Sequence, residues 1–290
     1  MRWLPIGLVV LVGLLSVGLI KPRAETILRL SRETMKSACI AALLGAWLVG
    51  SAGVVSGQES SDAESTSKWE FVVAPYLVFP HMNGQTTVRG VPVDVDIGPS
   101  EIFENLDFGA MLYLEMANRD WSISLDGLYM NLGEKGQTPV TGRDTEVDMK
   151  QLAIQATGLR RVAPWAEIGI AGRLNSLEGG LLVAPGEVVL PEIDVSQTKT
   201  WFDPLIAARF TVPLESRFQL GIKGDFGGFG IGSDYAWQVF PFVGYRFSNL
   251  FELGAGYRAI GMKYETGSGD DLFIYDMVIF GPQIGLVFHF

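Results

Sequence analysis

Asp271-Leu-Phe-Ile-Tyr-Asp-Met-Val-Ile-Phe-Gly-Pro-Gln-Ile-Gly-Leu-Val-Phe-His-Phe290 alternates along its second half. Val278, Phe280, Pro282, Ile284, Leu286, Phe288 and Phe290 fall on one face, and Gly281, Gln283, Gly285, Val287 and His289 on the other. A period of two is a strand. An unbroken apolar face opposite a small, partly polar one, finishing on an aromatic residue, suits the closing strand of a transmembrane barrel. The last strand of a soluble β-sandwich satisfies the same pattern, so the rest of the chain decides.

Upstream of that stretch the pattern recurs. Alternating segments begin at Trp69, Phe108, Trp121, Val147, Trp165, Trp201, Phe218, Trp237 and Phe251, making ten with the C-terminal one, and in the sixth Phe202 to Phe210 form the apolar face against Trp201 and Asp203. Short turns near 117–120, 162–164, 213–216 and 248–249 alternate with longer links near 80–106, 133–145, 179–197, 227–233 and 265–271. Short turns at one end and longer loops at the other predict an all-β, up-and-down antiparallel barrel of about ten strands, with twelve or eight as alternatives. Lipid cannot satisfy a sheet edge, so Trp69 to Pro80 should pair with Tyr275 to Phe290. Aromatics collect at the expected ends: Trp69, Trp121, Trp165, Phe218, Phe247, Phe251 and Phe290 at one, Phe79, Tyr129, Trp237, Tyr264 and Phe273 at the other.

Composition agrees with a sheet that must curve, with 35 glycines and 11% aromatic residues. Six basic and two acidic residues precede residue 58, so residues 58–290 hold 16 basic and 30 acidic groups. That acidity argues against nucleic acid as a partner. The only cysteine, Cys39, falls in the leader, so the remainder lacks disulfide and zinc-thiolate chemistry.

Ahead of the alternating region lie two apolar runs. Residues 35–57 have a basic start at Lys36, an apolar core and a small-residue end at Val55-Ser-Gly57, the form of a cleaved signal peptide. Residues 1–34 read as an upstream hydrophobic extension ahead of a translation start at Met35, the alternative being that Trp3 to Ile20 spans the inner membrane as an anchor. Residues 58–67 are a polar linker, and 68–290 the barrel.

The charges at lumen-facing positions are Glu70, Glu115, Asp126, Glu167, Asp203, Asp225 and Glu252 against Arg173, Arg209, Lys223, Arg246 and Arg258. A ten-stranded barrel has little free lumen, so these are expected to pair across a filled interior rather than line a pore. In the longest link, Gly90 to Ile97 alternates like an extra strand and Pro99 to Leu106 suits a short helix, a lid or an added hairpin. Its Asp94, Asp96, Glu101 and Glu104 lack the spacing of a calcium loop, so no metal and no cofactor is expected. Catalysis lacks a motif. The chain has two histidines, His81 and His289, and only His81, at the outer end of the first strand, approaches loop carboxylates. The glycine-rich Gly224 to Ser233 joins two strands and opens no helix, so it reads as a tight rim hairpin rather than a phosphate loop.

Trp69-Glu-Phe-Val-Val-Ala-Pro-Tyr-Leu77, Glu104 to Met111, Trp201-Phe-Asp-Pro204, Gly224 to Asp234 with Trp237-Gln238, Gly256-Tyr-Arg258 and the Gly281-Pro282 to Phe290 end together resemble a family of Gram-negative outer-membrane β-barrel proteins, porin-like and mostly without assigned activity. The resemblance covers about 69–290 and departs at the N-terminus, where the family shows one signal peptide. It implies the cell outer membrane, reached through the inner membrane, with outer-membrane lipid and lipopolysaccharide as surroundings. Periplasmic chaperones and barrel-assembly machinery are the implied partners, with Phe288 and Phe290 as the assembly signal. Because it carries over no active site, the expected role is structural or surface-exposed, and not that of an enzyme. The alternatives are a narrow porin, a barrel enzyme depending on His81, and a soluble sandwich.

Overall fold

A computed structural model describes residues 68–88, 91–137, 144–185, 193–214 and 217–290. The expected extension, signal peptide and linker, residues 1–67, lie outside the described residues.

Twelve strands run β1 Glu70–Val78, β2 His81–Val88, β3 Val91–Ile97, β4 Leu106–Ala117, β5 Trp121–Gln137, β6 Asp144–Ala163, β7 Ala166–Val183, β8 Ile193–Pro213, β9 Phe218–Gly228, β10 Tyr235–Arg246, β11 Phe251–Thr266 and β12 Phe273–His289. The one α-helix among the described residues, α1, spans Pro99–Glu104. β4 to β12 are neighbours in chain order, and β1 pairs both β4 and β12, so ten strands close into an antiparallel barrel. The remaining two, β2 and β3, form a hairpin outside that ring of ten.

The terminal stretch carries the seam. β12 pairs with β1 from Val72↔His289 to Val78↔Gln283, then with β2 from His81↔Phe280 to Val88↔Phe273. The change of partner falls at Phe79-Pro80, where proline supplies no N–H to the ladder. There the Phe79 N–H donates to the Pro282 carbonyl at 2.9 Å. A Cβ on Gly281 would sit 2.0 Å from the Phe79 carbonyl oxygen, so only glycine permits this approach. Gly281-Pro282 therefore marks the joint between the two pairings.

On the far side of β1 the ladder to β4 covers only Glu70↔Ala117 to Pro75↔Leu112. Beyond Pro75, β2 turns to β3 rather than to β4. Pro99 starts α1 without wasting a donor, and the Gly98 N–H donates to Glu101 Oε2 at 3.1 Å.

The side-chain distribution is inverted relative to a water-soluble sandwich. Ile168, Ile170, Ile206, Val212, Leu220, Ile222, Ile284 and Leu286 all lie exposed on the outer surface of the closed sheet, Ile170 at 72%. The charges lie within. A soluble monomer does not present so continuous an apolar belt, and the sandwich alternative is set aside on this ground.

Two expectations need correction. Residues 133–137 and 144–145 continue β5 and β6, and 179–183 and 193–197 continue β7 and β8, where the sequence suggested loops. These strands project past the apolar belt, where lipid no longer demands an apolar outer face, so alternation fades although pairing persists. Tyr264 and Phe273 are not rim aromatics. Their parity on β11 and β12 points them inward, where Tyr264 stacks on Trp201 at 4.4 Å and Phe273 is buried.

Candidate functional site in the barrel lumen

The lumen is filled in layers. At the end away from the termini, Met82, Ile97 and Ile102 from the β2–β3–α1 segment pack with Leu132, Trp201, Tyr275 and Met277 of the wall into an apolar plug. Ile102 is 1% exposed. Sequence parity marks these wall positions as inward, but that α1 turns back to meet them is a tertiary fact.

Asp203 anchors the plug's rim. It is fully buried and accepts hydrogen bonds from the Ser233 N–H at 2.7 Å, Ser233 Oγ at 3.1 Å, Asn175 Nδ2 at 3.0 Å and Trp201 Nε1 at 3.2 Å. Four neutral donors, rather than a cation, satisfy this carboxylate. They tie the tight Gly228–Asp234 turn, which contains Phe229 at φ 50°, down onto β8.

Below the plug comes a charged layer. Arg258 donates to Asp126 at 2.9 Å, to the Tyr76 hydroxyl at 3.1 Å and to Gln238 at 2.7 Å, while Tyr76 donates to Asp126 at 2.6 Å. Arg173 donates to Asp225 and to Gln155, both at 2.8 Å. Arg209 bridges Glu115 at 2.5 Å and Glu167 at 2.6 Å, Arg161 reaches Glu167 at 3.1 Å, and the Tyr113 hydroxyl donates to Glu115. Lys223 stands 4.5 Å from the centre of the Tyr113 ring. Buried charges persist only when paired or hydrogen-bonded.

Toward the termini the lumen widens into a vestibule of about 430 Å³ that reaches as far as this layer. Glu252 sits at its rim between Arg246 and His289, each 3.3 Å away. A smaller chamber of about 60 Å³ lies on the plug side, floored by Arg173 and Arg258.

Of the twelve lumen charges anticipated from sequence, the structure brings Glu115, Asp126, Glu167, Arg173, Arg209, Lys223, Asp225 and Arg258 into the layer. Arg246 and Glu252 pair at the rim, Asp203 belongs to the plug, and Glu70 is exposed at the mouth. Arg161, Tyr76, Tyr113, Gln155 and Gln238 join the network without having been singled out. Phe240 and Phe242, stacked with ring centres 5.6 Å apart, line the vestibule and were also missed. They hide in an apolar run, Val239 to Val243, where alternation is invisible.

His81 faces the outer surface of the β2–β3 hairpin. It contacts Asp96 Oδ1 at 2.6 Å and stacks on Phe280 at 5.0 Å. This bond holds the Asp96 carboxyl below its usual range. Phe290 is 70% exposed and exchanges backbone hydrogen bonds with Phe71, while Phe288 packs on Phe251. Asp94 and Asp96 lie exposed on the same hairpin, and no group of metal-ligating side chains occurs among the described residues.

A closed antiparallel barrel with an apolar exterior and a paired ionic interior is the fold of the Gram-negative outer-membrane β-barrels. Among solved structures the chain is similar to the outer membrane protease OmpT of Escherichia coli, with TM-score 0.50 and 11% identity over 78% of this chain and 98% of that one. It also matches the translocator domain of the autotransporter NalP of Neisseria meningitidis (TM-score 0.37, 11% identity, 89% and 97% covered). A third match is Ail, the attachment invasion locus protein of Yersinia pestis (0.32, 11%, 78% and 100%). At 11% identity the likeness to OmpT is one of fold. No protein-family model matches the chain, and no curated protein matches it in sequence.

Proposed function

We propose that the chain is an integral protein of the Gram-negative outer membrane, exported through the inner membrane, whose barrel is sealed and serves a structural or surface-exposed role without catalysis. Lipid and lipopolysaccharide surround its apolar belt, and periplasmic chaperones and the barrel-assembly machinery deliver it. The observation that carries the sealed reading is the succession of plug and charged layer, with Ile102 in the first and Arg258 and Arg173 in the second. A conducting path would have to break several buried charge-assisted hydrogen bonds at once.

Planar-bilayer recording of the refolded chain tests this. The proposal expects no steps above a protein-free bilayer, and steady unitary conductance would favour the narrow-porin reading instead. The non-catalytic part is supported by the placement of His81, which faces away from the lumen. A proteolytic or lipid-cleaving activity of the refolded chain that disappears in His81→Ala would contradict it.

A further inference from the structure

We propose that the vestibule at the terminal end of the lumen is a binding site for a single-chain amphiphile with a monoanionic head group. Its wall changes character around the ring. On one side stand Arg209 and Lys223, on the other the inward rings of Phe240 and Phe242. Lys223 lies at the junction, opposite Arg209 on β8 and opposite Phe240 on β10 in the two ladders.

Lys223 is only 9% exposed and has no carboxylate within ion-pair distance among the described residues. The two acids that face it, Glu115 and Asp126, are bound by Arg209 and Arg258. A largely buried ammonium that touches the Tyr113 ring, and faces only carboxylates already bound by arginines, lacks a counter-charge of its own. The aromatic side is shaped to be flat. A Cβ on Gly221 would meet the Phe242 ring at 2.3 Å, and one on Gly256 the Phe240 ring at 2.7 Å, so the glycines let both rings lie against the wall. An anionic head on Lys223 with an alkyl chain over Phe240 and Phe242 satisfies both surfaces, and the volume is that of a small-molecule site. A monoanion matches Lys223, the one cation lining the vestibule that has no ion pair among the described residues.

The test is calorimetric titration of the full chain in phosphatidylcholine nanodiscs with decanoate, decanol and decyltrimethylammonium, empty discs serving as the reference. The proposal expects saturable one-to-one decanoate binding, with decanol and the cation weaker by about tenfold or more. Lys223→Met, checked for folding by heat-modifiable gel migration, should bind decanoate no better than decanol, and Lys223→Arg should keep the preference. If Lys223→Met does not fold, the ranking of the three ligands on the unaltered chain decides. Decanoate uptake equal to that of empty discs, or equal binding of decanoate and decanol by the unaltered chain, would overturn the proposal. Neither result depends on whether the barrel conducts.

Discussion

Arg258 and Asp126 stand 132 residues apart in the chain and 2.9 Å apart in the lumen. Removing one member of a buried pair leaves the other desolvated and unpaired, which costs about 3–5 kcal/mol. Arg258→Met should therefore lower the urea midpoint of the refolded barrel strongly, and Arg258→Met with Asp126→Leu should recover much of the loss. A single variant as stable as the unaltered chain would mean that the pair is solvated. The inward direction of both residues was legible from alternation on their strands. Their partnership was not, because it depends on ring closure bringing β5 and β11 face to face. Phe240 and Phe242 show the opposite failure: lumen-facing aromatics in an apolar run leave no alternation to read. Their only sequence trace is the pair of glycines, Gly221 and Gly256, over which the two rings lie.

At the scale of elements, the β2–β3–α1 segment is the part whose docking is separable from closure of the barrel. It enters the plug chiefly through Ile102, Ile97 and Met82. Ile102→Ala should cost about 2–5 kcal/mol of docking. The expected readout is faster proteolytic cleavage between residues 89 and 105 while the ten-strand barrel keeps its heat-modifiable migration. Unchanged cleavage would remove α1 from the plug. The same hairpin should loosen in acid. Because His81 of β2 lowers the carboxyl of Asp96 on β3, a hairpin whose two strands have come apart binds that proton more tightly than the paired one. The contribution is thus present at neutral pH and lost as pH falls through the lowered value. Asp96→Asn should remove this acid dependence of hairpin cleavage, and a cleavage rate as acid-sensitive as before would assign it elsewhere. Sequence alternation and Pro99 already suggested a strand and a helix here, whereas the long β5–β8 extensions were mistaken for loops. Alternation reports lipid contact, and pairing beyond the bilayer leaves no such mark.

Taken whole, the molecule is organised by exclusion of water from its outside. Apolar side chains on the belt, such as Ile168, Ile170 and Ile206, gain nothing from exposure to solvent, while the interior holds the charges. This inversion, more than any strand count, separates a membrane barrel from a sandwich. It was legible from the terminal stretch outward, because an apolar face that never breaks over ten segments cannot all be turned into one small core. The most direct test is a spin-label accessibility scan along β7, from residue 166 to 174, in lipid bilayers, after Cys39 has been replaced by serine. Labels at 168, 170 and 174 should be most accessible to dissolved oxygen and least to a water-soluble nickel chelate, with 167, 169, 171 and 173 shielded from oxygen. Nickel accessibility peaking at 168 and 170 would place that face in water and contradict the membrane barrel.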